Sequence, residues 1–214
     1  YATNANGNSA TSSNSNTFTS FSFTPFGFTP FGAFGFTPFA AFGFTPGSRY
    51  CVDEDTLVNL VGPNDTVIYK SAKDVQIGDE VWSLSFDEYI DESEEGYKGY
   101  LFSQSLTNTK MTRSTVENII PSIRTETLYF NGDISKRFST TERMLMKRND
   151  IYQYIPSGDV VAGDIFLSVS DDNTISEEPV TSVDIIKGER NVYRFTVEPV
   201  DHLVAGGMVV HNYK

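Results

Sequence analysis

The chain has 214 residues but only one cysteine, Cys51, and two histidines, His202 and His211. A lone cysteine excludes an internal disulfide framework and a multi-cysteine zinc site. It leaves three readings: a small buried hydrophobe, an incidental thiol, or a nucleophile. A histidine met alone is most often structural, so composition by itself leaves His202 and His211 open. The other concentration of reactive side chains is acidic: Asp87, Glu88, Asp91, Glu92, Glu94 and Glu95. Those carboxylates lack the regular ligand spacing of a calcium loop and read as a solvated insertion over about residues 87–113.

The elements that must position these residues are short strands. Candidates are residues 56–61, 66–69, 80–84, 126–130, 150–154, 165–168, 192–197 and 208–210. Each is rich in β-branched or aromatic residues and bounded by Gly, Asn, Asp or Pro. Gly62-Pro63-Asn64-Asp65 is a turn cluster, and Asn131-Gly132 is a strong hairpin signal. Lys73-Asp74-Val75-Gln76-Ile77-Gly78-Asp79-Glu80-Val81 is echoed by Ser157-Gly158-Asp159-Val160-Val161-Ala162-Gly163-Asp164-Ile165. Both run Asp-Val, two residues, Gly-Asp, then a strand. The expectation is an all-β domain with two β subdomains related by pseudo-symmetry.

A different kind of chain precedes Cys51. Residues 1–17 are Asn, Ser, Thr, Ala and Gly and read as a flexible linker. From residue 18 to 47, Phe-Thr-Pro recurs at Phe23, Phe28, Phe36 and Phe44, interleaved with Phe-Gly pairs. The repeat is too short for a solenoid, and its prolines favour an extended segment: a sticky linker or an aromatic interaction motif. The chain's net charge is -12, and residues 1–50 hold one ionisable residue of the Asp, Glu, Lys and Arg set, Arg49, so the rest carries about -13 (-12 minus +1). Such acidity argues against non-specific binding to nucleic acid or anionic membranes. No apolar run approaches the roughly 20 residues of a membrane helix, and no secretory signal is visible, though the chain could be a fragment.

Four segments, in order, resemble the Hint superfamily of inteins and bacterial intein-like domains. Cys51-Val52-Asp53-Glu54-Asp55-Thr56-Leu57-Val58 is similar to the family's opening block, and Val209-Val210-His211-Asn212 to its last. Between them, Asn131-Gly132-Asp133 followed by Ser139-Thr140-Thr141-Glu142-Arg143 resembles the block that carries Thr and His three residues apart. Val192-Tyr193-Arg194-Phe195-Thr196-Val197-Glu198, then His202, resembles the penultimate block. The resemblance spans residues 51–212 at the length of a mini-intein without a homing endonuclease. It implies a horseshoe fold, a nucleophilic Cys51, and flanks at 1–50 and 213–214 that serve as the domain's own substrate.

The chemistry implied by that resemblance has two steps. Cys51 sulfur attacks the Tyr50 carbonyl carbon and converts the Tyr50–Cys51 amide into a thioester. A thiol suits this because its unperturbed pKa, about 8.5, lies near neutrality. The family assigns oxyanion binding and protonation of the leaving nitrogen to the Thr and His of the second block; here Thr140 is present and Arg143 takes the His place. Arg can bind an oxyanion but cannot shuttle a proton at neutral pH. Arg194 stands where the family often has Asp. In the second step Asn212 cyclises to a succinimide and releases Tyr213, with His202 and His211 where the family uses them. Tyr213 is not Cys, Ser or Thr, so cleavage by water, a thiol or an amine is expected over splicing. No cofactor is required, and a monomer is expected. The rival reading is a degenerate, non-catalytic Hint domain acting as a structural module beside a Phe-rich interaction segment.

Overall fold

Strand pairing joins thirteen strands into one antiparallel network in the computed structural model, which describes residues 51–88 and 104–211. In chain order they are β1 (Val52–Asp53), β2 (Leu57–Val61), β3 (Val67–Ser71), β4 (Glu80–Ser85), β5 (Lys110–Phe130), β6 (Asp133–Ser139) and β7 (Arg143–Arg148). Then follow β8 (Ile151–Pro156), β9 (Ile165–Val169), β10 (Ile175–Pro179), β11 (Val183–Glu198), β12 (His202–Ala205) and β13 (Met208–His211). The hydrogen-bonded order is β10-β9-β7-β13-β12-β2-β4-β5-β11-β1-β6, with β3 on β2 and β8 on β7. The all-β expectation holds for the described residues.

The central strands are buried on both faces. Along β7, Met144 and Met146 enter one apolar cluster with Phe130, Phe138 and Val210, while Leu145 enters another with Trp82, Leu84, Tyr154, Val204 and Val209. Side chains alternate across a strand, so each two-sided strand feeds both clusters. His202 shares the face of Val204, and His211 that of Val209, which brings both imidazoles to the second cluster.

The Asn131-Gly132 hairpin is present. Both residues take positive φ, 55° and 69°, as a two-residue turn between twisted strands requires, and the turn joins β5 to β6. The expected acidic insertion is shorter than its assigned span. β5 begins at Lys110 and pairs with β4 from Ser85↔Lys110 onward, so residues 110–113 are strand. The base is closed by the Asp87 amide on the Thr107 carbonyl, 3.1 Å, and by Thr107 on the Glu88 carboxylate, 2.8 Å. Of the insertion, residues 89–103 lie outside the described residues, as do the leader at 1–50 and residues 212–214.

The internal echo has a shared construction. Val75 N donates to Ala72 O, and Val160 N to Ser157 O. The Asp79 carboxylate accepts from Gln76 N and Lys70 Nζ; the Asp164 carboxylate accepts from Val161 N and Arg148. Gly78 and Gly163, with φ of 91° and 98°, make the same turn in each copy. The repeated sequence thus encodes a repeated turn, locked each time by an aspartate paired with a cation from an earlier strand.

Candidate active site

Cys51 sits just before β1, a strand two residues long, and its side chain is fully buried. So short a strand needs anchors. Val52 pairs with Tyr193 on one side and Phe138 on the other. Asp53, also fully buried, receives two hydrogen bonds from Arg190, at 3.1 and 2.8 Å, and has Arg137 at 3.8 Å. A fork-to-fork pair of this kind fixes orientation as well as position. Thr56 Oγ1 donates to the Arg137 carbonyl, 2.7 Å, tying the segment after β1 to β6.

Stepping each register back by one residue sets Cys51 opposite Ser139 on one side and Arg194 on the other. The first pairing is made explicit by Ser139 N donating to the Cys51 carbonyl, 2.9 Å. Arg194 thus lies beside Cys51 in the ladder.

The last strands form a second row. His202 and His211 are direct cross-strand partners on β12 and β13, both nearly fully buried, with ring centroids 5.7 Å apart and planes at 86°. Val210 pairs with Met144, so the next antiparallel step puts His211 opposite Arg143, and Arg143 pairs with Pro156. Pro156, Arg143, His211 and His202 therefore lie in one row across four strands.

A single turn joins these two places. Ser139, bonded to Cys51, ends β6; Arg143, beside His211, begins β7; Thr140, Thr141 and Glu142 lie between. The 3-10 turn Ser157–Asp159 clamps this connection with Ser157 Oγ on the Ser139 carbonyl, Ser157 N on the Glu142 carbonyl and Gly158 N on the Thr140 carbonyl. A Cβ at Gly158 would meet the Thr140 carbonyl oxygen at 2.8 Å, so only glycine permits this approach. The clamp holds Thr140 through its backbone and sets the span between Cys51 and the histidines.

The electrostatics follow from burial. Desolvation holds the His202 imidazolium off, lowering its pKa to about 3; the neighbouring His211 adds to this, and the Leu84 backbone opposes it. His202 is thus neutral at physiological pH. Burial pushes the Glu142 carboxyl well above the usual carboxylate range, against the pull of Arg143. Among the described residues, no group of three or more His, Cys, Asp or Glu side chains could hold a metal ion.

Of the residues singled out from sequence, the structure brings Arg143, His202 and His211 into one row. It sets Cys51 one short turn away and Thr140 within that turn. Tyr50, Asn212 and Tyr213 lie outside the described residues. Sequence reasoning missed Tyr154 on β8. Its hydroxyl hydrogen-bonds with His202 Nε2, and its ring meets His211 edge-on with centroids 4.3 Å apart. The available signal was alternation in Tyr152-Gln153-Tyr154, which marks a strand but not a site. Ser157-Gly158 was read only as part of the echo.

This β architecture is that of the inteins. The chain matches the DnaB intein from Synechocystis sp. PCC 6803 with a TM-score of 0.54 at 15% identity, over 77% of this chain and 99% of that one. It matches the TvoVMA intein with a TM-score of 0.55 at 14% identity, over 76% and 98%. The bacterial intein-like domain from Clostridium thermocellum gives 0.53 at 14% identity, over 76% and 99%. No protein-family model and no curated protein matches the chain. No helix among the described residues is long and apolar enough to cross a membrane.

Proposed function

We propose that residues 51–212 form a self-processing Hint domain that cuts its own backbone once at each end. At the N-terminal junction, the Cys51 sulfur adds to the Tyr50 carbonyl carbon. The Tyr50–Cys51 C–N bond then breaks, and the thiol proton ends on the freed Cys51 amine. Water, a thiol or an amine cleaves the resulting thioester. At the other end, Asn212 Nδ2 attacks its own carbonyl carbon, the bond to Tyr213 breaks, and a proton passes from Nδ2 to the released Tyr213 amine. Tyr213 offers no thiol or β-hydroxyl to accept the upstream segment, so the two flanks are released unjoined.

The observation that carries this reading is the short connection Thr140-Thr141-Glu142. It links the Ser139 amide on the Cys51 carbonyl with the row of Arg143, His211 and His202. Arg143 serves there as a hydrogen-bond donor to a developing oxyanion, a task that does not require it to lose a proton. His211, one residue before Asn212, moves the proton during cyclisation, with His202 beside it across the hairpin. The matching turns at Gly78-Asp79 and Gly163-Asp164 support a horseshoe of two pseudo-symmetric β subdomains. The substrate is the domain's own flanking polypeptide, and the chemistry needs no cofactor and no second copy.

The test is intact-mass spectrometry of the freshly purified chain, with and without a strong thiol or hydroxylamine. A fragment ending at Tyr50 is expected, increased by thiol and abolished in Cys51→Ala. A second product ending at Asn212 succinimide is expected to vanish in Asn212→Ala. An unchanged mass over days, with thiol present, would instead identify a degenerate module.

A further inference from the structure

Resting on the self-processing reading, we propose that Tyr154 is a positioning residue for cleavage after Asn212, acting through His202 and His211. Three features carry it. The Tyr154 side chain is almost fully buried, so its hydroxyl is aimed by packing and not by solvent. That hydroxyl meets His202 Nε2, and the two ring centroids lie 5.7 Å apart. The same ring stands edge-on to His211 at 4.3 Å. One side chain from β8 thereby touches both imidazoles of the β12–β13 hairpin.

The direction of the hydrogen bond has a chemical consequence. A neutral phenol can donate or accept, and a neutral imidazole accepts through only one nitrogen; the direction we assign is donation from Tyr154. Donation from Tyr154 into Nε2 places the His202 proton on Nδ1, the side away from Tyr154. Phe86 flanks the same ring at a centroid distance of 5.0 Å, which limits its rotation. His202 is thus held neutral, in one tautomer and one orientation, beside His211. The titratable groups that meet the pair are the two imidazoles themselves and Tyr154 on β8, with Arg143 of β7 next in the row beyond His211. With His202 fixed as neutral, His211 is left as the partner that moves the proton from Asn212 Nδ2 to the departing amine.

Tyr154→Phe removes the hydroxyl and keeps the ring against His211. The full chain and its variant are compared for both cleavages across pH, by mass. Release of the segment after Asn212 is expected to slow about tenfold, the rate equivalent of one buried hydrogen bond. Its acid limb is expected to move to higher pH, because loss of the donor makes His202 easier to protonate. Thiol-induced cleavage at Tyr50–Cys51 should stay within about twofold. A wild-type rate and profile in the variant would overturn the proposal while leaving self-processing intact. Absence of any Asn212 cleavage in the wild type would overturn both. A readout free of activity is the imidazole 15N spectrum of Asn212→Ala, in which the Nδ1–H tautomer is expected for His202. The Nε2–H tautomer would overturn the assignment.

Discussion

Two buried titratable groups, Glu142 on the turn before β7 and His202 on the β12–β13 hairpin, pull stability in opposite directions. His202 is neutral when folded and protonates near pH 6.5 when unfolded, so its lowered pKa contributes stability above 6.5 that is lost as pH falls toward 3. The Glu142 carboxyl is raised, so its contribution is fully present below the unfolded value near 4.5 and is lost as pH rises toward its folded value. Above 4.5, until Glu142 ionises in the folded state, and below 6.5, the two slopes oppose, each at most about 1.4 kcal/mol per pH unit. Denaturant unfolding should therefore show a nearly flat wild-type stability in that window. His202→Gln should make stability fall as pH rises, and Glu142→Gln should make it fall as pH drops. If neither variant changes the slope, burial does not shift these two groups as described.

At the scale of elements, the clamp between Ser157–Asp159 and Ser139–Glu142 decides how far Cys51 stands from the histidines. Gly158→Ala forces a Cβ against the Thr140 carbonyl oxygen, which is backbone and cannot swing aside. Overpacking of this kind costs about 1–3 kcal/mol. The cleavage at Tyr50–Cys51 should slow as Thr140 shifts, and a paired thermal-melt and mass assay separates the two effects. Ser157→Ala, which loses one bond of the clamp but adds no volume, should change both less. The elements that sequence missed explain why this clamp was not foreseen. β7, Arg-Met-Leu-Met-Lys-Arg, is built from residues with helical preference and has no β-branched side chain. β10 ends in Glu-Glu-Pro, an edge-strand composition that mimics a loop. The first four residues of β5, 110–113, were absorbed into the acidic insertion. In each case the strand exists because neighbours pair with it, which no local pattern reports. Where local chemistry suffices, as at Asn131-Gly132 or the two Gly-Asp turns, the reading from sequence and the structure coincide.

For the molecule as a whole, the candidate site was legible as a set of residue types in order, but not as distances. Cys51 and His211 are 160 positions apart in sequence, and only strand pairing connects them. What the sequence could not supply was Tyr154, whose role depends on β8 lying against β7 and so beside the β12–β13 hairpin. The same pairing leads to a prediction about the Phe-rich leader. Groups of the domain itself anchor Cys51: Ser139 on its carbonyl, Arg194 across the ladder, Asp53 with Arg190 just beyond. Deleting residues 1–47 should therefore leave thiol-induced cleavage at Tyr50–Cys51 within about twofold and the melting temperature unchanged, since surface and linker changes rarely exceed about 0.5 kcal/mol. The measurement is the same mass assay on a chain beginning at Ser48. A large loss of cleavage with an unchanged melt would mean that the leader takes part in the chemistry, giving the Phe-Thr-Pro repeats a role inside the reaction and not only downstream of it.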